Sequence, residues 1–498
     1  MNRKKLAALI LTAAMILPIT ACSGSNTPSD TVSTQPENTV QTTISENETT
    51  SPEGIPELGA RDLGGFEFHL GKPVQGNVAW ATVTFAADEE NGEVLNDAIV
   101  RRNQLITEKY NFSMKETELT SATDEMTKQI LAGDDQYDLF MDRLDKVRAV
   151  LTSEYLINWY DIPHIELESS WWDQDAQRDL DLGDGMYFMN GDIVFTVYDC
   201  LRAIMYNKGL VSDFKLEDTY GSFYDLVKDG KWTVDTMYEM MNTVAADLNG
   251  DGFMGEDDRF GVLYNHQSAG SLVTSQGHQL VSKDSDGYPI FTAEGEKFTK
   301  IYENILKLIS GNISFNYNAD KYKGLTARQA IVALFDNKQA LFFDNGISAA
   351  AQYMRDVQNV DFGFLPMPKF DETQDKYYSF VSVSAPVMTV PKTIDSDRLE
   401  KMGFALEALC RESSESVVPE YFETCFSAKY TRDEQSYEMI ILATESRRYD
   451  LGIIYDYGGV YTTLRDSSEA NNESVTSVFE SIKSAVEKSI TEYHGERK

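Results

Sequence analysis

Acidic and amide residues stand at alternate positions in the stretch "DLNGDGFMGEDD". Asp247, Asn249 and Asp251 offer side-chain oxygens, Phe253 a backbone carbonyl, and Asp258 closes a twelve-residue frame. That is close to the spacing of an EF-hand calcium loop, with Gly252 placed for the sharp turn. Asp in place of Glu at the last position shortens the reach toward single-oxygen ligation. The competing reading is an Asp/Asn/Gly turn held by its own hydrogen bonds. A second loop of this kind is absent and "RFGVLY" follows as a strand, so a structural Ca2+ tying a helix end to a strand is expected rather than a paired sensor. Other reactive patterns are missing: the chain has no GxxxxGK[ST], no HExxH and no GxSxG. His69, His164, His266, His278 and His494 lack metal-ligand spacing. No organic cofactor is expected. A glycan hydrolase needs two placed carboxylates, which 80 acidic residues leave open.

The N-terminus carries a different chemistry. A basic "MNRKK" precedes the apolar "LAALILTAAMILPITA", too short to span a bilayer comfortably and shaped like a secretion signal. It ends at Ile19-Thr20-Ala21-Cys22, which resembles the lipobox of bacterial lipoproteins. Cleavage of residues 1–21 would leave Cys22 first, its thiol carrying a diacylglycerol. From Ser23 to about Leu58 the chain is rich in Ser, Thr, Asn, Glu and Pro, with no aromatic residue and no Lys or Arg. Such a segment cannot bury enough apolar surface to offset the entropy of ordering, so residues 22–58 are read as a lipidated cysteine and a flexible tether. The protein is expected to be anchored at the extracytoplasmic face of the cell membrane, not to span it.

The remainder must supply the positions for any site. At 498 residues, with 42% hydrophobic and 11% aromatic residues, two or more lobes with sizeable cores are expected. A net charge of −36 repels phosphate backbones and speaks against nucleic acid. Cys200, Cys410 and Cys425 make no CxxC pair; buried free thiols are expected, with a Cys410–Cys425 bridge as the open alternative. "FEFHLG" and "YDLFMD" read as strands. "EVLNDAIVRRNQLITEKYN" reads as a helix placing Val94, Leu95, Ile99, Leu105 and Ile106 near one face. "MYFMNGDIVFTVYDCLRAIMYNK" reads as strand-rich, and Thr233 as the N-cap of a helix with Trp232 as its staple. Strands and helices alternate from Phe66 through "APVMTVPK", and the C-terminal part is mostly helical, from Arg398 to Tyr430 and from Asn472 to Tyr493. This predicts α/β layers with largely parallel sheets.

The order of segments resembles the extracellular solute-binding lipoproteins of ABC importers, of the sugar-binding, maltose-binding-like family 1 type. The pieces that carry the resemblance include "VLNDAIVRRNQLITEKYNF", "YDLFMDRL", "SSWWDQDAQRDLDLGDGMYFMNGDI", "RAIMYNKGLV", "DLVKDGKWTVDTMYEM" and "ALFFDNG". They are spread over most of residues 60–460. The resemblance implies a two-lobe, periplasmic-binding-protein-like type II fold with a ligand cleft between the lobes. The expected division is residues 59–195 with about 322–390 in one lobe, and about 196–321 with 391–498 in the other. Crossings are expected at Gly191 to Asp199, between Phe315 and Gln339, and near Ser384 to Thr393. The implied partners are a carbohydrate and the permease subunits, with the chain itself a monomer.

A sugar site needs aromatic faces for C–H surfaces and polar groups for hydroxyls. Trp171, Trp172 and Asp173 in "SSWWDQ" are candidates, one tryptophan facing the cleft and the other the core. Trp80 follows the first strand, where the resembled family approaches its ligand. Asp142 and Arg143 end a strand, where open α/β folds meet ligands. Tyr198, Asp199 and Arg202 adjoin the first expected crossing, and Asp344 stands at a strand-to-turn junction. For each, the competing reading is a core aromatic or a surface ion pair. The expected function is a non-enzymatic sugar receptor feeding an ABC importer; a secreted glycan hydrolase or a non-transport surface adhesin stays open.

Overall fold

Phe68, Leu70 and their neighbours bury both faces of the first strand, as a parallel strand covered on two sides requires. In the computed structural model, residues 58–74, 83–151, 154–182, 185–309, 312–319 and 322–496 are described. The chain divides into units Met1–Arg61 and Asp62–Lys498, and the described strands and helices lie in the second. The expected signal, Cys22, most of the tether and Trp80 lie outside the described residues.

Strands β1 (Phe66–Pro73), β2 (Phe112–Leu119) and β3 (Leu139–Arg143) come first. Next come β4 (Arg202–Asn207), β5 (Phe260–Tyr264), β6 (Val281–Lys283), β7 (Pro289–Phe291) and β8 (Ser314–Asn316). They are followed by β9 (Ala340–Gly346), β10 (Phe362–Leu365), β11 (Ser379–Phe380), β12 (Pro386–Thr389) and β13 (Arg447–Arg448). One sheet runs β12-β3-β1-β2 and the other β10-β4-β9-β5-β8. In the first, β1 is parallel to β2 and β3 while β12 is antiparallel. In the second, β5 is parallel to β8 and β9, and β4 is antiparallel to β9 and β10. Helices α1 (Val94–Tyr110) and α2 (Ala122–Ala132) cover the first sheet, and α3 (Gln174–Leu180) packs on β13. Helices α4 (Val234–Val244), α5 (Ser268–Ser275) and α6 (Gly295–Ile309) belong with the second sheet. Helix α7 (Ser396–Glu412) returns to α1 and β1, α8 (Val460–Glu469) lies on α5 and α6, and α9 (Val475–His494) follows.

Sheet membership corrects the expected division of the chain. β9 and β10 pair with β4 in the second sheet, so residues 340–365 do not join the first lobe. Phe315 and Gln339 flank no crossing, because β8 and β9 share one sheet. The outward passage falls at Asp192–Cys200, and the return lies between Leu365 and Pro386, closed by the bridge Leu201–Val381. Helix α7, expected in the second lobe, packs on the first.

Local readings fare unevenly for physical reasons. Thr233 caps α4 by accepting from Thr236 N, and Trp232 is fully buried beneath it. Ile99 and Ile106 are buried on α1, but Val94 and Leu105 are exposed. The stretch read as strand-rich turns 3-10 helical over Asp192–Cys200. Its residues are all buried, so periodicity could not separate the two. Cys200, Cys410 and Cys425 are buried free thiols. Among the described residues no helix is long and apolar enough to cross a membrane.

The first lobe is centred on a buried carboxylate. Glu407, on α7, accepts from Trp171 Nε1 at 2.7 Å, Trp172 Nε1 at 2.9 Å and Glu166 N at 3.2 Å. Burial pushes its pKa up, and those three donors pull it back. Replacing it by an apolar residue strands two indole N–H groups, each costing about 1–3 kcal/mol. Glu407→Leu is therefore expected to lower the urea midpoint clearly, and more than Glu407→Gln, which keeps an acceptor. Equal midpoints for wild type and Glu407→Leu would remove this network from the account of stability.

Candidate functional site

The floor of the site is an ion pair set by strand register. β4 and β9 pair antiparallel with Arg202 opposite Gly346 and Ile204 opposite Asp344. Arg202 Nη2 lies 2.7 Å from Asp344 Oδ1, with side chains 2% and 4% exposed. Its Nη2 also donates to Asn265 Oδ1 at 3.3 Å, Ser268 Oγ at 3.2 Å and the Asp344 carbonyl at 3.0 Å. A buried pair of this kind persists only with its remaining donors satisfied. Here those bonds also fix the loop after β5, the segment Asn265–Ser268.

That loop presents the polar wall. Gln267 Oε1 accepts from Ser382 Oγ at 2.7 Å, which joins the loop to the returning crossing. Ser382 N donates to Cys200 O, while Leu144 N and Asp145 N donate to Ala385 O and Val383 O. The C-terminal ends of β3, β5, β8 and β9 thereby meet around the crossings, where α/β folds place ligands. His266 is exposed. Burial lowers its pKa, as do Arg202, Arg465 and Arg143, against the opposite pull of Asp145, so the ring is neutral at pH 7. Asn318 Nδ2 donates to its Nδ1 at 2.8 Å, which leaves the proton on Nε2 as a donor. Arg143 and Asp145, at the end of β3, form a bidentate pair of 2.9 and 2.8 Å and are each about one-third exposed. They stand across from His266 and Arg465, a group on α8. Tyr461 OH donates to His266 O at 3.4 Å, and Asn345 Nδ2 donates to Tyr317 OH at 3.0 Å. Burial pushes the Tyr317 and Tyr461 phenols above their ordinary range.

The candidates from sequence divide sharply. Arg202, Asp344 and Arg143 come together here. Asp142 is buried and holds the first turn of α2, accepting from Thr123 N at 3.0 Å and Thr123 Oγ1 at 2.8 Å. Trp171 and Trp172 are 5% and 0% exposed, both inside the first lobe, so neither faces the cleft. Asp173 caps α3 and pairs with Arg447 at 2.8 Å. Tyr198 is buried against Phe422 and Arg447. Asp199 accepts from Tyr430 OH at 2.9 Å. Asn265, His266, Gln267, Ser268, Ser382 and Arg465 went unread. For Asn265–Ser268 the one signal is a polar run directly after the strand "FGVLY"; Ser382 and Arg465 carry none.

The loop at Asp247 closes on its own backbone. Asp247 accepts from Gly250 N at 2.6 Å and Gly252 N at 2.8 Å, and both glycines have positive φ, at 76° and 85°. Asn249 accepts from Asp251 N and Asp251 from Phe253 N. Asp258, fully buried, accepts from Leu248 N at 2.8 Å and Gly255 N at 2.6 Å. The loop thus clips α4 to β5, with Ala246 and Arg259 bridged at its neck. Among the described residues no three His, Cys, Asp or Glu side chains converge on a metal-sized site.

No protein-family model matches the sequence. No curated protein matches it in sequence. Solved structures match in fold. The galacto-N-biose/lacto-N-biose I-binding protein of an ABC transporter from Bifidobacterium longum, in complex with lacto-N-biose, is 10% identical with a TM-score of 0.56, covering 87% of this chain and 98% of that one. A sugar transporter protein from Rhizobium etli in an open conformation is 12% identical with a TM-score of 0.55, over 84% and 99%. The ABC substrate-binding protein from Listeria monocytogenes in complex with cycloalternan is 11% identical with a TM-score of 0.52, over 86% and 99%.

Asp199 generates a pH test. Burial pushes its carboxyl up to about 6, against the pull of the nearby Tyr421 hydroxyl and the hydrogen bond from Tyr430. A raised folded pKa means the unfolded chain ionises first, so stability is lost as pH rises from about 4 through about 6. Asp199→Asn removes that loss and keeps an acceptor for Tyr430. Its melting temperature relative to wild type is expected to be higher at pH 7.5 than at pH 4.5; a constant difference would contradict the assignment.

Proposed function

We propose that this chain, which has the two-lobe fold of the substrate-binding proteins of ABC importers, is a lipid-anchored extracytoplasmic receptor. It binds a carbohydrate between its lobes and delivers it to an ABC permease. The observation that carries the reading is the wall at the strand ends: fixed donors and acceptors, largely neutral, on the loop Asn265–Ser268 facing the Arg143–Asp145 pair. Hydroxyls are recognised by such preset bonds, while Tyr317 and Tyr461 lie buried behind the wall and hold its backbone and side chains in place. The solved relatives from Listeria and Bifidobacterium hold sugars, which supports the same ligand class here. Anchoring through Cys22 and monomeric action are parts of the proposal that rest on sequence alone.

The engagement of the acids at the strand ends supports binding without turnover. Asp142 is held by Thr123, Asp145 by Arg143, and Asp344 by Arg202. Glycoside hydrolysis needs one protonated and one free carboxyl across the bond. Among the described residues, these three at the strand ends provide neither. Calorimetric titration with mono- and oligosaccharides is expected to find a saturable ligand recovered unchanged. His266→Ala, which removes the Nε2–H donor, is expected to weaken it about tenfold. Binding to peptides alone, or cleavage of the sugar, would overturn the reading.

Calcium held by Asp247, Asn249, Asp251, Asp258 and the Phe253 carbonyl is a second part of the proposal. Its support is the alternate-position spacing on a loop already coiled by backbone bonds to its acids. Bound to the folded state alone, the ion would raise stability. The melting temperature is expected to fall on chelation with EGTA and to recover with Ca2+, an effect lost in Asp251→Ala. No change on chelation or on adding Ca2+ reduces the loop to a turn.

A further inference from the structure

Away from the cleft wall, a cavity of about 280 Å3 opens at the far end of α5. Thr274, Gly277, His278 and Gln279 form one side, and Ser282 and Thr292 of the β6–β7 hairpin region a second. Tyr378 and Arg448, beside β11 and β13, complete it. None of these residues belongs to the cleft wall. Six residues of α5, roughly 9 Å of helix, separate Ser268 from Thr274. The volume sits at the lower end of small-molecule sites, room for a single-ring ligand.

The hydrogen-bonding groups around it are only partly engaged. Arg448 lies with its guanidinium 4.8 Å from the Tyr378 ring, and Nη1 donates to Asp179 at 3.1 Å. Asp179 is already held bidentately by Arg178, at 2.8 and 2.7 Å, and accepts from Tyr449 N at 3.0 Å. Arg448 Nε and Nη2 have no protein partner among the described residues. His278 Nε2 lies 2.8 Å from the Thr292 carbonyl, which only accepts, so Nε2 carries the proton and Nδ1 is an acceptor. Thr274 is 1% exposed and its Oγ1 has no hydrogen-bond partner. Lys297 Nζ donates to Gly277 O at 3.3 Å on the rim. No Asp or Glu lines the cavity, in a chain of 80 acidic and 44 basic residues.

We infer that this cavity is a second ligand site, separate from the cleft, for a small hydroxylated carboxylate such as a sugar acid. The planar edge of Arg448 matches a carboxylate, and its stacking on Tyr378 presets the geometry. His278 Nδ1 matches a ring hydroxyl, and the Thr292 hydroxyl, which donates to Gln279 O at 2.8 Å, is left to accept from another. The acidic surface elsewhere repels the same anion, which confines it to this spot.

Titration calorimetry of the mature full-length chain with glucuronate and galacturonate tests the site, with glucose and acetate as controls. Saturable binding of one uronate is expected, with both controls at least about tenfold weaker. Arg448→Gln and Ser282→Phe are each expected to abolish it, and His266→Ala to leave it unchanged. Ser282→Phe fills the cavity without touching the Arg448–Asp179 pair. It therefore decides the question if melting shows Arg448→Gln to be unfolded. No saturable uronate binding, glucose binding of equal strength that is lost in Ser282→Phe, or retention of uronate in Ser282→Phe overturns the inference; glucose binding lost in His266→Ala belongs to the cleft. Loss in His266→Ala moves the ligand to the cleft and overturns it as well.

Discussion

A buried guanidinium must be paired and fully hydrogen-bonded or it is not buried at all, and the cleft is organised around one. Arg202 enters the core at the first residue of β4 and meets Asp344 across the antiparallel register with β9. Removing either partner would leave a stranded charge, a loss of about 3–5 kcal/mol. The same Nη2 that meets Asp344 also reaches Asn265 and Ser268. One electrostatic requirement inside the second lobe therefore sets the backbone of a loop on its surface. That loop holds His266 outward and Gln267 toward the crossing at Ser382.

The same economy of charge separates binding groups from structural ones. Acids near the crossings are nearly all engaged: Asp173 by Arg447 and Tyr449, Asp179 by Arg178 and Arg448, Asp142 by the start of α2. What remains facing the cleft is neutral or internally paired. A site built this way orders hydroxyl groups by direction rather than by net charge, which suits an uncharged polyol. The cavity by Arg448 differs on that point, because its one lining charge has donors left over.

Elements defined by local pattern were legible in the sequence. β1, β3, α1, α4 and α6 follow from their periodicity and caps, and the Asp/Asn/Gly loop from its spacing. Features set by distant partners were not. The sequence reads one of the two tryptophans as facing the cleft and the other as core, but Glu407, more than 200 residues away, holds both in the core. The placement of β9 depends on pairing with β4 across 142 residues from Arg202 to Asp344, which no local pattern reports. Arg202 and Asp344 were legible one by one, as polar residues at strand ends, but not as a pair. The loop Asn265–Ser268 carries no motif; only its place after a parallel strand marks it.

The crossings also limit how two such lobes can move. β11 and β13 form a short parallel ribbon beside the return crossing, and Arg447 from it reaches into the first lobe. Arg447 is 2% exposed and bonds Asp173 and Asp175 on either side of the start of α3. Tyr449 OH adds a bond to Asp173 at 3.0 Å. Separating these groups would expose or strand buried charges, at several kcal/mol. The Leu201–Val381 bridge lies on the same side of the cleft floor and is backbone only. Lobe opening that keeps both intact must turn about the ribbon, leaving the Arg143–Asp145 pair to move against His266. The polar wall, tied through Gln267 to Ser382 of the return crossing, stands close to the same pivot.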